Sequence, residues 1–118
     1  MTPISPPTLL RVTEEHGRTT ARFADCKSLN EDNAEAVARE LGALVTGRDR
    51  PLLTLDLGQI DFLTSVVLGK FVALNGKVRA TGGRLDLVNL TPTVRQVFAV
   101  TRLDRVLNIG VKTDALSA

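Results

Sequence analysis

The apolar run Pro51-Leu-Leu-Thr-Leu-Asp-Leu57 constrains this chain more than any other feature. It is short, it follows a charged turn, and its leucines suit a buried central strand. The hydrophobic period then changes. Leu68, Phe71, Val72, Asn75 and Val78 fall on one helical face, which predicts a helix from near Ser65 to Ala80. Gly82-Gly83 reads as its C-cap; a phosphate-loop reading fails because no Gly-x-x-x-x-Gly-Lys-Ser/Thr pattern follows a strand. Arg84–Asn89, with Leu85, Leu87 and Val88, returns to an interior strand.

The flanks extend this pattern. Leu9–Thr13 and Thr19–Phe23 read as strands joined by the turn Glu14-Glu15-His16-Gly17. Ala34, Val37, Ala38, Leu41, Leu44 and Val45 make a second helical face, stopped by Gly47; Ser28 with Glu31 resembles a capping box at its start. Thr91-Pro92 opens a third helix whose buried side is Val94, Val97 and Phe98. Leu103 to Ile109 supplies a turn and a short last strand. This order predicts one α/β domain, a mixed central sheet of about four to five strands with helices packed on it. The expected boundaries are a Pro-rich lead-in over 1–7, the domain over 8–111 and a tail over 112–118.

Composition narrows the function. The 118 residues are 43% hydrophobic and 24% charged, as in an ordinary globular domain. Net charge is +2 without a run of like charges, and aromatic content is 3%, all Phe. A nucleic-acid surface built on a basic patch or stacking platforms is therefore not expected. A single cysteine, Cys26, leaves no intrachain disulfide, and with the single histidine, His16, no multi-cysteine or paired-histidine metal site. Cys26 reads as a small buried hydrophobe and His16 as a solvated turn residue. The start MTPISPPTLL lacks a basic region followed by an apolar stretch, and no apolar stretch is long enough to span a bilayer. The expectation is a cytoplasmic protein without cofactor or metal, and not an enzyme.

The segment Leu55-Asp-Leu-Gly-Gln-Ile-Asp61-Phe62-Leu63-Thr64-Ser65-Val66-Val67-Leu68-Gly69 resembles the signature of the STAS family. That family includes anti-sigma-factor antagonists and the cytoplasmic domains of sulphate transporters. Its usual form is an apolar strand ending in Asp, a short loop, then Asp-Phe-Ile-Asp-Ser-Ser-Gly-Leu-Gly opening a helix. The stretches from Ala80 to Phe98 and from Thr101 to Ile109 resemble the family's continuation. The likeness covers roughly residues 8–110 and implies a STAS-like fold. It also implies a protein partner, an anti-sigma factor or serine-protein kinase, and a serine phosphatase acting in reverse. Ser65 stands at the family's phosphoacceptor position, with Thr64 as second choice. The partner surface implied comprises Lys27, Asn30, Asp61, Thr64, Val66 and Val67. Thr64 replaces the usual Asp, Val66-Val67 replace Ser-Gly, and Lys27 and Asn30 replace Gly and Asp.

Each of these residues also has a plainer reading. Ser65 and Thr64 are good helix N-caps. Asp56 and Asp61 read first as turn-forming carboxylates and only second as partner contacts or a metal pair. Asn75 is either an interface residue or a satisfied polar position. Two functions compete: a regulator switched by phosphorylation at Ser65, and a constitutive scaffold or adaptor for which Val66-Val67 supply an apolar contact. Catalysis lacks any nucleophile–base constellation, and a small ligand at the motif loop is the weakest reading.

Overall fold

The computed structural model describes residues 10–24 and 26–110; the expected lead-in over 1–7, the tail over 112–118 and the strand start at Leu9 lie outside the described residues. The first described elements form a hairpin of β1 (Leu10–Glu15) and β2 (Arg18–Phe23), paired antiparallel and closed by Glu15 opposite Arg18. The turn is shorter than expected because His16 and Gly17 both take positive φ, 52° and 79°. Such a two-residue turn matches the strands' own twist, so pairing continues through Glu14 and Glu15.

The remaining elements are β3 (Ser28–Leu29), α1 (Glu31–Val45), β4 (Leu52–Asp56), β5 (Phe62–Leu63), α2 (Ser65–Ala80), β6 (Arg84–Val88), α3 (Pro92–Val100), a 3-10 turn (Leu103–Arg105) and β7 (Asn108–Gly110). Five strands form one mixed sheet in the order β1-β2-β4-β6-β7, antiparallel at the first pair and parallel thereafter. The expected α/β architecture is the one observed. The very short β3 and β5 stand apart as a second, two-stranded parallel sheet.

One face of the main sheet makes the core. Ala21, Phe23, Leu53, Leu55, Leu85 and Leu87 are buried, clustered with Val37 and Leu41 of α1, Phe71 and Val78 of α2, and Val94 and Phe98 of α3. The other face corrects the reading of β4 and β6 as fully interior strands. They are central in order, but Thr54, Asp56 and Asp86 are only half-buried. These polar residues alternate with leucine, so one side of each strand stays wet. Arg18 donates to Thr54 Oγ1 at 3.0 Å and to Asp86 at 3.5 Å, Arg84 donates to Asp86 at 2.9 Å, and Arg22 stands 3.6 Å from Asp56.

Helix ends follow local chemistry, with one shift. At α2, Gly82 N–H donates to Arg79 O at 3.0 Å and Gly83 N–H to Val78 O at 2.9 Å, a Schellman end with Gly82 at φ 81°. Gly83 also lies against the start of β4, where an added Cβ would fall 2.2 Å from Pro51 O. Thr91 caps α3 as expected, accepting from Val94 N–H at 3.4 Å while its hydroxyl donates to Ile60 O at 2.9 Å. The cap of α1 is not Ser28, which pairs in β3. Asn30 takes that place: it accepts from Asp32 N–H at 2.9 Å, and Asn33 Oδ1 accepts from Asn30 N–H at 2.9 Å. Asn75 is a satisfied polar position, buried on α2 and donating to Val106 O at 3.4 Å.

Candidate partner-binding site

Residues 26–30 and 61–65 are far apart in the chain, and the small β3–β5 sheet brings them side by side. Ser28 stands opposite Phe62 and Leu29 opposite Leu63. Lys27 O accepts from Asp61 N–H at 2.8 Å and from Phe62 N–H at 3.3 Å, and Leu29 O accepts from Thr64 N–H at 3.0 Å. Leu29 and Leu63 point down into the core and anchor the ribbon. Each two-residue strand runs straight into a helix, so α1 and α2 begin next to each other.

The loop before β5 is held from below. Leu57 and Ile60 are fully buried, and Leu57 N–H donates to Val88 O at 2.9 Å. The Thr91 hydroxyl reaches Ile60 O from the start of α3. Asp56 acts as the turn-forming carboxylate, accepting from Gly58 N–H at 2.9 Å. Asp61 is exposed at the end of this pinned loop.

At the start of α2, Thr64 is the N-cap residue, yet its side chain makes no capping bond. Its Oγ1 is buried without a hydrogen-bond partner. Ser65 is therefore not the cap. It is the first helical residue and is exposed. The first intrahelical bond runs from Leu68 N–H to Thr64 O at 3.1 Å. The N–H groups of Ser65, Val66 and Val67 thus precede the helical ladder, and no acidic side chain lies in the first turn.

The expected contact residues divide here. Lys27, Asp61 and Ser65 are exposed, as is Val66 at 41%. Asn30 is half-buried and committed to capping α1, with its Nδ2 on Ser28 Oγ at 3.2 Å. Val67 is 0% exposed, which corrects its placement on the partner surface. Successive helical residues point about 100° apart, so Val66 faces out while Val67 joins the core. Sequence reasoning passed over Phe62, which is 54% exposed beside Ser65. Phe23, Phe71 and Phe98 are all buried. The signal for Phe62 is its alternation with the buried Leu63, too short to read before β5 is known.

Among the described residues no group of three or more His, Cys, Asp or Glu side chains is placed to hold a metal ion. No helix among them is long and apolar enough to cross a membrane. Cys26 is half-buried and hydrogen-bonded to Ser28 O at 3.4 Å.

Residues 28–109 match the family described as "Mlab, STAS domain". The chain belongs to the STAS family. It is 31% identical over 90 residues to BtrV of Bordetella bronchiseptica, which carries the name of an anti-sigma factor antagonist; the match covers 76% of this chain and 77% of BtrV. Among solved structures, the anti-sigma-factor antagonist (STAS) domain protein of Planctomyces limnophilus superposes with a TM-score of 0.79 at 25% identity, covering 91% of this chain and 93% of that one. The anti-sigma factor antagonist SpoIIAA shares the fold too. Its unphosphorylated form gives a TM-score of 0.70 at 19% identity over 91% of this chain and 92% of its own. The phosphorylated form of the Bacillus protein gives 0.64 at 18% identity over 92% and 96%. The STAS fold of this chain is thus that of anti-sigma factor antagonists, with the motif loop and the α2 start at one surface.

Proposed function

We propose that this chain is a regulatory protein-binding domain of the anti-sigma-factor antagonist kind, cytoplasmic and without catalytic activity of its own. It docks an anti-sigma factor or serine-protein kinase and is switched by phosphorylation at Ser65. The observation that carries this reading is the exposed Ser65 hydroxyl at the first turn of α2, bordered by the exposed apolar side chains of Phe62 and Val66. An apolar rim of this kind favours protein contact. A phosphate at Ser65 adds about −1.5 to −2 charges. The uncapped N–H groups and helix dipole of α2 can accommodate that charge within the folded domain. A docked partner would have to desolvate the same phosphate against Phe62 and Val66, which is costly. Phosphorylation therefore releases the partner and leaves the fold intact, and a serine phosphatase restores binding. SpoIIAA, solved in both forms, shows that this fold is compatible with phosphorylation in that protein.

The exposure of Val66 also favours a second reading, a constitutive adaptor with a permanent apolar contact. One experiment separates the two. Wild-type, Ser65→Ala and Ser65→Asp baits are used to capture partners from the source cell's lysate, with mass spectrometry as readout. Recovery of a serine kinase by wild type and Ser65→Ala, with loss in Ser65→Asp, supports the switch. Equal recovery by all three baits establishes the adaptor instead.

A further inference from the structure

Among the described residues β1 lies at one edge of the sheet, and its Arg11 and Glu15 make no ion pair there. Arg11, Thr13 and Glu15 stand opposite Arg22, Thr20 and Arg18 on the open face of the sheet. Arg22 lies against Asp56, and Arg18 reaches across to Thr54 and Asp86. Among the described residues, Arg11 and Glu15 therefore have no hydrogen-bond or ion-pair partner, and Arg11 faces a like charge across the hairpin. The whole strand from Arg11 to Glu15 is exposed, and β1 ends the sheet.

Charged residues often guard edge strands against pairing. Here, however, the two signs are spaced to match themselves. We infer that two copies of this chain associate edge to edge through β1, antiparallel, about a twofold axis at Thr13. That register sets Arg11 opposite Glu15 of the second copy, Glu15 opposite its Arg11, and Thr13 opposite Thr13. Opposite charges and paired threonines are favourable cross-strand neighbours. A slip of one residue would bring opposite sheet faces together, and a slip of two would lose both ion pairs.

The backbone is ready for the same register. Glu15 and Arg18 close a two-residue turn and bond to each other, so the alternation of the ladder turns the N–H and C=O of Val12 and Glu14 outward. In the dimer Val12 of each copy exchanges hydrogen bonds with Glu14 of the other, and two five-stranded sheets become one. The contact is isologous, as a twofold requires. A single pair of short strands buries less than about 1,200 Å², so the dimer is weak and concentration-dependent.

Analytical ultracentrifugation of the full chain from about 1 μM to 1 mM tests this, a range spanning weak association. A reversible monomer–dimer equilibrium is expected. Arg11→Glu and Glu15→Arg should each weaken it by about tenfold or more, because both symmetry-related pairs turn repulsive. The double variant Arg11→Glu/Glu15→Arg should recover the wild-type constant. Val12→Pro, which removes an outward N–H on an edge strand, should abolish the dimer while circular dichroism stays native. Monomer at every concentration overturns the proposal. So does a dimer indifferent to these variants, or a double variant no better than the singles.

Discussion

The amide of Asp61 donates to the carbonyl of Lys27 at 2.8 Å, and this backbone bond joins the two halves of the candidate site. With the bonds from Phe62 N–H to Lys27 O and from Thr64 N–H to Leu29 O, it holds the exposed Lys27 and Asp61 side by side ahead of Ser65. The apolar members of the surface, Phe62 and Val66, are placed by the same small ribbon and by the first turn of α2.

Phe62 should therefore matter for binding and little for folding. Phe62→Ala is expected to change stability by no more than about 0.5 kcal/mol, as for other exposed positions. Its affinity for a captured partner should fall about tenfold or more, because exposed aromatics at an interface centre carry much of the binding energy. Val67→Ala should show the reverse, since its side chain belongs to the core. Denaturant melts paired with titration calorimetry would distinguish the two.

The two threonine caps offer an internal comparison. Thr64 Oγ1 is buried without a partner, whereas Thr91 accepts from Val94 N–H and donates to Ile60 O. Thr64→Val keeps the shape and removes the orphan hydroxyl, so it should be neutral or stabilising by up to about 1 kcal/mol. Thr91→Val should cost about 1–2 kcal/mol, losing a cap and leaving a buried carbonyl unpaired. Urea midpoints measured on both variants would show the difference in sign.

Gly83 and Gly76 should respond oppositely to alanine. A Cβ at Gly83 would collide with Pro51 O, whereas one at Gly76 meets nothing within 4 Å. Gly83→Ala forces β4 away from the end of α2 and should cost roughly 3 kcal/mol or more, in the range of strongly destabilising substitutions. Gly76→Ala, inside α2, should stabilise by about 0.5–1 kcal/mol. Thermal melts suffice to check both.

Glu35 of α1 and Lys70 of α2 meet at 2.7 Å. The hydrogen bond from Lys70, with its charge, holds the Glu35 carboxyl below its ordinary value. A carboxyl depressed in the folded state stabilises above its unfolded pKa and loses that contribution as pH falls through the folded one. Carboxyl NMR should show Glu35 titrating late on acidification. Lys70→Met should return it toward the ordinary range. Because the pair is exposed, salt should weaken the coupling.

Local chemistry made much of this protein legible. Ser65 to Ala80 has the bounds that periodicity predicts, and Thr91-Pro92 and Gly82-Gly83 mark helix ends through effects confined to one turn. Short apolar runs located β4 and β6, although their alternation left one face of each wet, and the motif around Asp61 and Ser65 located the family. The sequence alone thus determined the order of the three helices and the five strands of the main sheet, and the place of the motif's serine at a helix start.

Tertiary structure decided the rest, because the deciding bonds span the chain. Two-residue strands have no period to read, so the pairing of Ser28 with Phe62 and of Leu29 with Leu63 emerges only when the helices and sheet have packed. That pairing took Ser28 out of the α1 cap and put Asn30 there instead. It left Phe62 outside and Leu63 inside. Packing of α2 then separated Val66 from Val67, neighbours in sequence with identical side chains, because one helical step rotates a residue from solvent into the core.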